Sequence, residues 1–165
     1  MQYVSNYSSP IGKILICADE ASLLGLWFYG QKNFASTLDA NYVNHESKLL
    51  KDTKFWLESY FNGKVKEYKF PISLCGTEFQ KLVWRSLLKI PYGKVNTYSK
   101  IANKVAKVKK IEKMSARAVG SAIGKNPISI IVPCHRVIGA NSNLCGYAAG
   151  LDKKKYLLNL EGIGV

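Results

Sequence analysis

The sequence predicts an α+β protein of 165 residues, with a small N-terminal α/β part followed by a helical C-terminal part. Two observations support this class. Short apolar runs separated by turn residues, which are typical of strands, lie within the first 30 positions. From residue 77 onward, apolar residues recur at helical spacing behind good helix-capping residues. We expect the change at residue 74, which gives domains 1–73 and 74–165.

The N-terminal part is predicted to contain a β-hairpin and a helix. Residues 14–18 and 24–28 are short apolar runs, and the polar residues between them favour a turn. Residues 48–61 carry apolar side chains near helical spacing and end at an Asn-Gly pair, which is a typical helix stop. Residues 70–76 are expected to link this helix to the second part of the chain.

Four helices are predicted in the C-terminal part. The first opens with a capping box, in which Thr77 and Gln80 satisfy each other's backbone N–H groups. Thr97 and Ser115 are expected to cap the second and third helices. The expected bounds are 77 to about 90, 98 to about 105, 116–124, and about 152 to 160. Residues 104–113, between the second and third helices, hold five lysines and one glutamate.

The charge of the chain is concentrated in the C-terminal part. The formal net charge is +13, from 24 basic and 11 acidic residues. Residues 74–165 hold 16 of the basic and 4 of the acidic residues, a net +12, which leaves +1 for residues 1–73. This asymmetry indicates a polyanion as partner, because Lys and Arg that neutralise phosphates release condensed counterions. The alternative is an ordinary solvated lysine-rich face.

Composition excludes several other classes of protein. With 47% hydrophobic residues the chain is globular, and no apolar run approaches the ~20 residues that span a bilayer. The N-terminus shows no signal peptide, so we expect a cytoplasmic protein, or a nuclear one in a eukaryote, with reduced cysteines. These cysteines form no CxxC pair and no zinc pattern with histidine. We expect no metal and no cofactor.

The second and third C-terminal helices resemble a helix-turn-helix, whose second helix normally enters a DNA groove. That second helix, residues 116–122, holds one long polar side chain, Arg117, among small residues. Small residues allow close backbone approach, which suits the minor groove and sequence-tolerant binding. A lone arginine at the helix start can fill a gap in the base stack. The alternative is that the small residues mark tight helix–helix packing.

Cys134 and His135 lie side by side between two apolar runs, directly after Pro133. The thiolate is the sulfur nucleophile, and a nearby base or cation lowers the pKa of a cysteine enough to form it. Pro133 restricts the backbone before the cysteine, as a rigid mount for a nucleophile requires. The alternative is a buried core cysteine without chemistry.

A set of motifs follows in order along nearly the whole chain. They are residues 9–12 (SPIG), 60–63 (YFNG), 76–84 (GTEFQKLVW), 90–93 (IPYG), 98–102 (YSKIA), 117–120 (RAVG), 126–127 (NP), 133–137 (PCHRV), 146–147 (GY) and 157–162 (LLNLEG). Together they resemble the O6-alkylguanine-DNA alkyltransferase family, also called methylated-DNA–protein-cysteine methyltransferases. The resemblance implies a ribonuclease-H-like N-terminal domain and a winged-helix or helix-turn-helix-like DNA-binding domain.

The resemblance also implies a reaction and the residues that perform it. The alkyl group of O6-alkylguanine, or of O4-alkylthymine, moves irreversibly to a cysteine, once per protein molecule. Carried over by position, Cys134 is the acceptor, His135 the base that acts through water, and Glu161 the carboxylate that orients His135. Tyr98 protonates the guanine as its O6 bond breaks, and Asn126 braces the active-site turn.

For DNA binding, the resemblance implies a monomer that binds duplex DNA through the minor groove and extrudes the damaged base. Arg117 takes the place of the extruded base in the stack. The residues expected to contact DNA are Arg117, Ala116, Ala118, Gly120, Arg136 and Tyr98.

The chain departs from the family pattern at three places. The loop 139–145 lacks a glycine that is usual near Asn143. Residues 105–114 form a longer and more basic connection than the short Gly-Pro turn of many members. Ala149 stands where many members have glycine beside the alkyl pocket. We expect Cys17, Cys75 and Cys145 to be structural.

Two other functions remain open from the sequence. A DNA-binding damage sensor would not transfer alkyl groups, and alkyltransferase-like sensors lack the acceptor cysteine that this chain has at Cys134. A Cys-His hydrolase would need an oxyanion hole, and it would leave the basic helix pair unexplained.

Overall fold

A computed structural model describes residues 1–64 and 67–165. The strands are β1 (Gln2–Ser9), β2 (Gly12–Ala18), β3 (Leu23–Phe28), β4 (Tyr42–Asn44), β5 (Asn96–Thr97) and β6 (Val137–Ile138). The helices are α1 (Lys48–Phe61), α2 (Glu78–Leu88), α3 (Tyr98–Lys109), α4 (Ala116–Gly124) and α5 (Leu151–Leu160), with 3₁₀ turns at Cys134–Arg136 and Ala140–Ser142. Within these ranges, no helix is long and apolar enough to cross a membrane.

The N-terminal sheet has the strand order β3-β2-β1-β4. β1, β2 and β3 are antiparallel neighbours, and the short β4 lies parallel to β1. The predicted hairpin is confirmed as β2 and β3, and the Asp19 carboxylate fixes its turn by accepting the N–H groups of Ala21 and Ser22, both at 2.8 Å. The sequence analysis missed β1 and β4, whose side chains are largely polar or exposed.

The sheet buries side chains on both faces. On one face, the predicted helix α1 packs its buried residues Leu50, Leu57 and Phe61 into the main core with alternate residues of β2 and β3. On the other face, Leu15 and Trp27 form a smaller cluster beneath partly buried apolar residues of the segment that follows β3. This segment is therefore held against the sheet.

Three helices of the C-terminal part, α2, α3 and α4, pack against one another. The predicted capping box begins α2: Thr77 N–H donates to Gln80 Oε1 at 3.0 Å, and Gln80 N–H donates to Thr77 Oγ1 at 3.1 Å. The buried indole of Trp84 joins α2 to α4, because its Nε1–H donates to the Ala122 carbonyl at 2.8 Å. Ser115 caps α4 as predicted, with the expected bounds.

The prediction for the end of α3 was wrong. The helix continues past Val105 to Lys109, and Lys110 closes it in the left-handed region at φ 56°. Val105 and Ala106 are buried, whereas the lysines around them are exposed, so residues 104–109 of the basic stretch are the second half of an amphipathic helix. The connection to α4 is consequently only residues 110–115.

The edge strand β3 continues the sheet into the C-terminal part. Leu26 N–H donates to the Pro127 carbonyl at 2.9 Å, and Ser129 N–H donates to the Leu26 carbonyl at 3.0 Å. One hydrophobic core accordingly runs from β2 and β3 to α2, α3 and α4. The N-terminal sheet therefore fixes the position of the segment that leads to Cys134.

The capping box of α2 yields a stability prediction. Thr77→Ala removes the hydroxyl that accepts the Gln80 N–H, so the free energy of unfolding should fall by about 1 kcal/mol. Thr77→Ser keeps the hydroxyl acceptor, so its free energy of unfolding should fall much less. Urea denaturation of both variants measures the difference, and equal losses would show that the side chain acts through its methyl group instead.

Candidate active site and nucleic-acid interface

Cys134 lies in the wall of a cavity of about 610 Å³. This volume is typical of small-ligand sites, although the Cys134 side chain and backbone together are only 6% exposed. The cavity is lined by Lys32, Asn33, Tyr98, Arg117, Gly120, Ser121, Ile123, Gly124, Lys125, Asn126, Ser129, Cys134, Gly146, Tyr147 and Ala148. The site thus brings together one nucleophile, the helix pair and a loop of the N-terminal sheet.

Asn126 braces the chain that leads to Cys134. Its Oδ1 accepts the Ile128 N–H at 2.9 Å, and its Nδ2–H donates to the Val132 carbonyl at 2.8 Å. Between these two contacts Ile130 adopts φ 71°, which is strained for a β-branched residue. The buried Asn126 amide holds the strained turn closed and presents the following Cys134 to the cavity.

Glu161, the residue that follows α5, carries the most densely bonded carboxylate of the site. Its Oε2 accepts from His135 Nε2 at 2.6 Å and from the Tyr60 hydroxyl at 2.6 Å. Its Oε1 accepts from Arg136 Nε at 2.7 Å and from the Gly93 N–H at 3.3 Å. Donors from three segments of the chain therefore hold the carboxylate in place, and the carboxylate in turn orients the imidazole.

The protonation of the Glu161–His135 pair follows from these contacts. Burial raises the pKa of Glu161, but hydrogen bonds from His135, Arg136 and Tyr60 outweigh it and hold the pKa at about 2. Burial lowers the pKa of His135, so the imidazole is neutral at pH 7. Because an ionised carboxylate only accepts, the proton of His135 is on Nε2. Nδ1 is then an unprotonated base, and it has no hydrogen-bond partner among the described residues.

Two opposing effects act on the pKa of Cys134. Burial raises the pKa of the Cys134 thiol, whereas the Asn126 amide, the Lys154 ammonium and the Tyr147 hydroxyl favour its thiolate. The Tyr147 hydroxyl is buried and has no hydrogen-bond partner among the described residues. A base that removes the thiol proton during reaction is therefore required, and the neutral His135 is the adjacent candidate.

Lys154 is a functional candidate that the sequence analysis missed. Its ammonium is fully buried and donates to the carbonyls of Val137, Leu144 and Gly146 at 2.6 to 3.0 Å. It thereby closes the loop that follows the Cys134 turn, and burial lowers its pKa to about 8. Lys154 is one of three consecutive lysines, a pattern typical of a solvated surface. However, it lies three and four positions before the buried Leu157 and Leu158, and residues at these spacings share one face of a helix.

Tyr98 and Arg117, two of the predicted site residues, both line the cavity from the helix pair. The Tyr98 ring packs beside Gly120, where an added Cβ would be 3.7 Å from ring carbons. Burial, helped by the neighbouring Cys145 and Cys134, raises the pKa of Tyr98 to about 12, so its hydroxyl remains a proton donor. Arg117 is exposed near the start of α4, between Ala116 and the partly buried Ala118.

Arg136 does not lie with the expected DNA-contacting residues. Its guanidinium donates to both oxygens of Glu161 and, through Nη1, to the Ile90 carbonyl at 2.8 Å. Only 11% of its side chain is exposed. The expected DNA contact of Arg136 is thus not supported, because its donors are used inside the protein.

The remaining cysteines do not share one role. Cys17 is buried, in agreement with a structural part, but Cys75 and Cys145 are exposed and pack into no core. Across residues 1–64 and 67–165, no group of three His, Cys, Asp or Glu side chains is arranged to hold a metal ion.

Comparison with known proteins agrees with this geometry. Residues 2–74 match the family described as "6-O-methylguanine DNA methyltransferase, ribonuclease-like domain", and residues 78–163 match the DNA binding domain of the same enzyme family. The chain belongs to the 6-O-methylguanine DNA methyltransferase family. This confirms both the resemblance found in the sequence and the predicted α+β fold class.

Individual members of the 6-O-methylguanine DNA methyltransferase family align along almost the whole chain. A methylated-DNA–protein-cysteine methyltransferase of Methanosarcina acetivorans is 45% identical over 160 residues, which is 97% of this chain and 98% of the relative. One from Mycobacterium leprae is 40% identical, over 98% of this chain and 93% of the relative. The OGT of Mycobacterium tuberculosis, solved in complex with DNA, superposes with a TM-score of 0.85 at 36% identity, covering 96% of this chain and 92% of that one.

The brace formed by Asn126 can be tested by Asn126→Ala. Loss of two buried hydrogen bonds should lower the free energy of unfolding by about 3 kcal/mol. The variant should also raise the pKa of Cys134, since the amide favours the thiolate. Denaturation and the pH dependence of iodoacetamide alkylation measure the two effects. Asn159→Ala is the control, because among the described residues the Asn159 amide bonds only Val165. A Cys134 pKa unchanged by Asn126→Ala would contradict the assignment.

Glu161 should make the stability of the protein depend on pH. Because its folded pKa is about 2 and its ordinary value is 4.5, its contribution is complete above pH 4.5 and is lost as the pH falls toward 2. Glu161→Gln should be strongly destabilised at pH 7, since the largely buried Arg136 loses its counter-ion. The gap to wild type should narrow between pH 4.5 and 2. Denaturation across this pH range measures the difference in free energy of unfolding, with Glu112→Gln, at an exposed position, as control. A difference that does not depend on pH would refute the linkage.

Proposed function

We propose that this protein repairs alkylated DNA by direct reversal. It transfers the alkyl group of O6-alkylguanine in duplex DNA, and of O4-alkylthymine, to the Sγ of Cys134. The observation that carries the proposal is the placement of Cys134 in a cavity with ample room for a base, with the neutral His135 beside it in sequence and Arg117 and Tyr98 of the helix pair on the cavity wall. The names of the relatives describe the same activity.

The reaction assigns one role to each residue. His135 Nδ1 takes the thiol proton through water, and Glu161 stabilises the resulting imidazolium, as in other Cys–His–acid sites. The thiolate attacks the alkyl carbon, an S–C bond forms, and the C–O6 bond breaks with its electron pair left on the guanine. Tyr98 donates a proton to the guanine. The imidazolium of His135 then gives up the thiol proton to solvent and the Tyr98 phenolate regains one, so that overall one proton passes from the thiol to the guanine.

The product limits the protein to one turnover. A thioether at Cys134 is uncharged and has no good leaving group, so a neutral imidazole and a water do not cleave it. One protein molecule therefore repairs one base. The activity is that of a methylated-DNA–protein-cysteine methyltransferase that is consumed by its own reaction.

DNA binding follows from α4. Ala116, Ala118 and Gly120 present little side chain, which allows the helix to approach the minor groove closely. Arg117 fills the gap that the extruded base leaves in the stack. The net +12 of residues 74–165 supplies the attraction to phosphate. We infer that the protein acts as a monomer on genomic DNA in the cytoplasm, or in the nucleus of a eukaryote, with its domains at 1–73 and 74–165.

Mass spectrometry tests the acceptor. Wild-type protein mixed with duplex DNA that contains O6-methylguanine should gain one methyl group on the Cys134 peptide, saturating at one per protein. Cys134→Ala should bind the DNA without gaining mass, and Cys145→Ser should react like wild type. If wild type binds the lesion with no change of mass, the protein is a damage sensor instead. A methyl group on Cys145 would show that Cys145, and not Cys134, is the acceptor.

The role of Arg117 is tested by comparing two substrates. Arg117→Ala should slow methyl transfer from duplex DNA by at least about tenfold, because the cost of unstacking the base is no longer compensated. Transfer from free O6-methylguanine base needs no extrusion and should be unchanged. Arg85→Ala, an exposed arginine of α2, controls for the loss of charge. A rate on duplex DNA equal to that of this control would exclude the assignment.

A further inference from the structure

The mouth of the Cys134 cavity is strongly cationic. Lys32, Arg117 and Lys125 all line it, and none of its lining residues in the described part of the chain is acidic. Both lysines are exposed and form no ion pair with any described carboxylate. Arg117 has a role in the proposed base extrusion, but the two lysines have none so far.

Lys32 reaches this cavity from the N-terminal part of the chain. It follows β3, and its N–H donates to the Ala148 carbonyl at 3.1 Å. The next side chain, Asn33, donates from Nδ2 to the Gly124 carbonyl at 3.3 Å. The loop is thus bonded to both walls of the cavity, the end of α4 on one side and the segment after Tyr147 on the other.

The buried Gln31 fixes the loop that carries Lys32. Its Oε1 accepts the Phe28 N–H at 2.8 Å, and its Nε2–H donates to the Lys32 carbonyl at 3.2 Å. The backbone of Lys32 is therefore held at both its N–H and its carbonyl, while its ammonium remains in solvent. A fixed backbone with an unpaired charge at a cavity mouth is the arrangement of a ligand-binding cation rather than of a freely solvated surface lysine.

Lys125 directly follows Gly124, whose carbonyl accepts the Asn33 amide of the loop. It is the residue that closes α4, where its N–H donates to the carbonyls of Ala122 and Ile123. Asn126, which braces the Cys134 turn, follows directly. Lys125 is therefore positioned by the same segment that positions the acceptor.

We propose that Lys32 and Lys125 form a two-lysine clamp that binds the phosphates flanking the extruded nucleotide. The inference rests on the proposed function. A base that enters the cavity remains attached through its sugar to phosphates on both sides, and these must lie at the mouth when the base lies near Cys134. Ammonium groups bind such phosphates as point charges. The N-terminal part of the chain is thereby a part of the DNA-binding site.

Two substrates and a matched control test the clamp. Lys32→Gln and Lys125→Gln should each lower the second-order rate of methyl transfer from an O6-methylguanine duplex by about fivefold, and should reduce the slope of log affinity against log salt by about 1. Transfer from free O6-methylguanine base, which has no phosphate, should match wild type. Lys51→Gln, an exposed lysine of α1, makes the same charge change away from the cavity and should have neither effect.

Neutral phosphates locate the contact. In a duplex with methylphosphonates on both sides of the lesion, wild type should lose the fivefold advantage over the two lysine variants. Variants that match Lys51→Gln on the unmodified duplex would overturn the proposal. So would a variant penalty that persists on the methylphosphonate duplex, or an equal loss of rate on the free base, since the lysines would then act elsewhere.

Binding measured apart from transfer separates this proposal from the proposed function. Fluorescence anisotropy of the lesion duplex reports the lysine-dependent salt slope even if no methyl group moves. Wild type that binds without transferring would overturn the proposed function, and a smaller salt slope in the variants would still support the clamp. Variants with the wild-type slope would overturn the clamp while methyl transfer by wild type still supported the function.

Discussion

The carboxylate of Glu161 is the point on which the site depends. It is buried at the end of α5, and it accepts hydrogen bonds from α1 through Tyr60, from the segment before β5 through Gly93, and from the Cys134 turn through His135 and Arg136. An ionised carboxylate in such a place is stable only while its donors remain. The hydrogen bonds that keep Glu161 ionised also fix the tautomer of His135, so the same contacts determine both the stability of the fold and the protonation of the imidazole.

The second constraint is the junction between the sheet and the segment that precedes Cys134. Leu26 of β3 exchanges backbone hydrogen bonds with Pro127 and Ser129, and the loop that follows β3 bonds both walls of the cavity. The N-terminal part therefore positions residues of the helical part through direct hydrogen bonds. It sets where the acceptor turn begins and supplies one wall of the cavity, which explains why the core is continuous across both.

The sequence predicted the local elements well where caps and periodicity agreed, as for α1, α2 and α4. It failed at the end of α3, because a lysine-rich stretch looks like a solvated loop until Val105 and Ala106 are seen to be buried. The resemblance named the residues around Cys134 in advance, but it also assigned Arg136 to DNA. Only the fold shows that the Arg136 guanidinium is turned inward to Glu161.

By itself, the sequence determined the fold class, the order of the helices and the adjacency of Cys134 and His135, because these are encoded in adjacent residues and in capping and apolar spacing. The family followed from the resemblance of its ordered motifs. The tertiary structure decided which distant residues meet. Tyr60 and Glu161 are 101 positions apart, and Asn33 and Gly124 are 91 apart. The burial of Lys154 and the position of Lys32 at the Cys134 cavity also depend on the tertiary structure. Such contacts depend on the packing of whole elements, which no local pattern records.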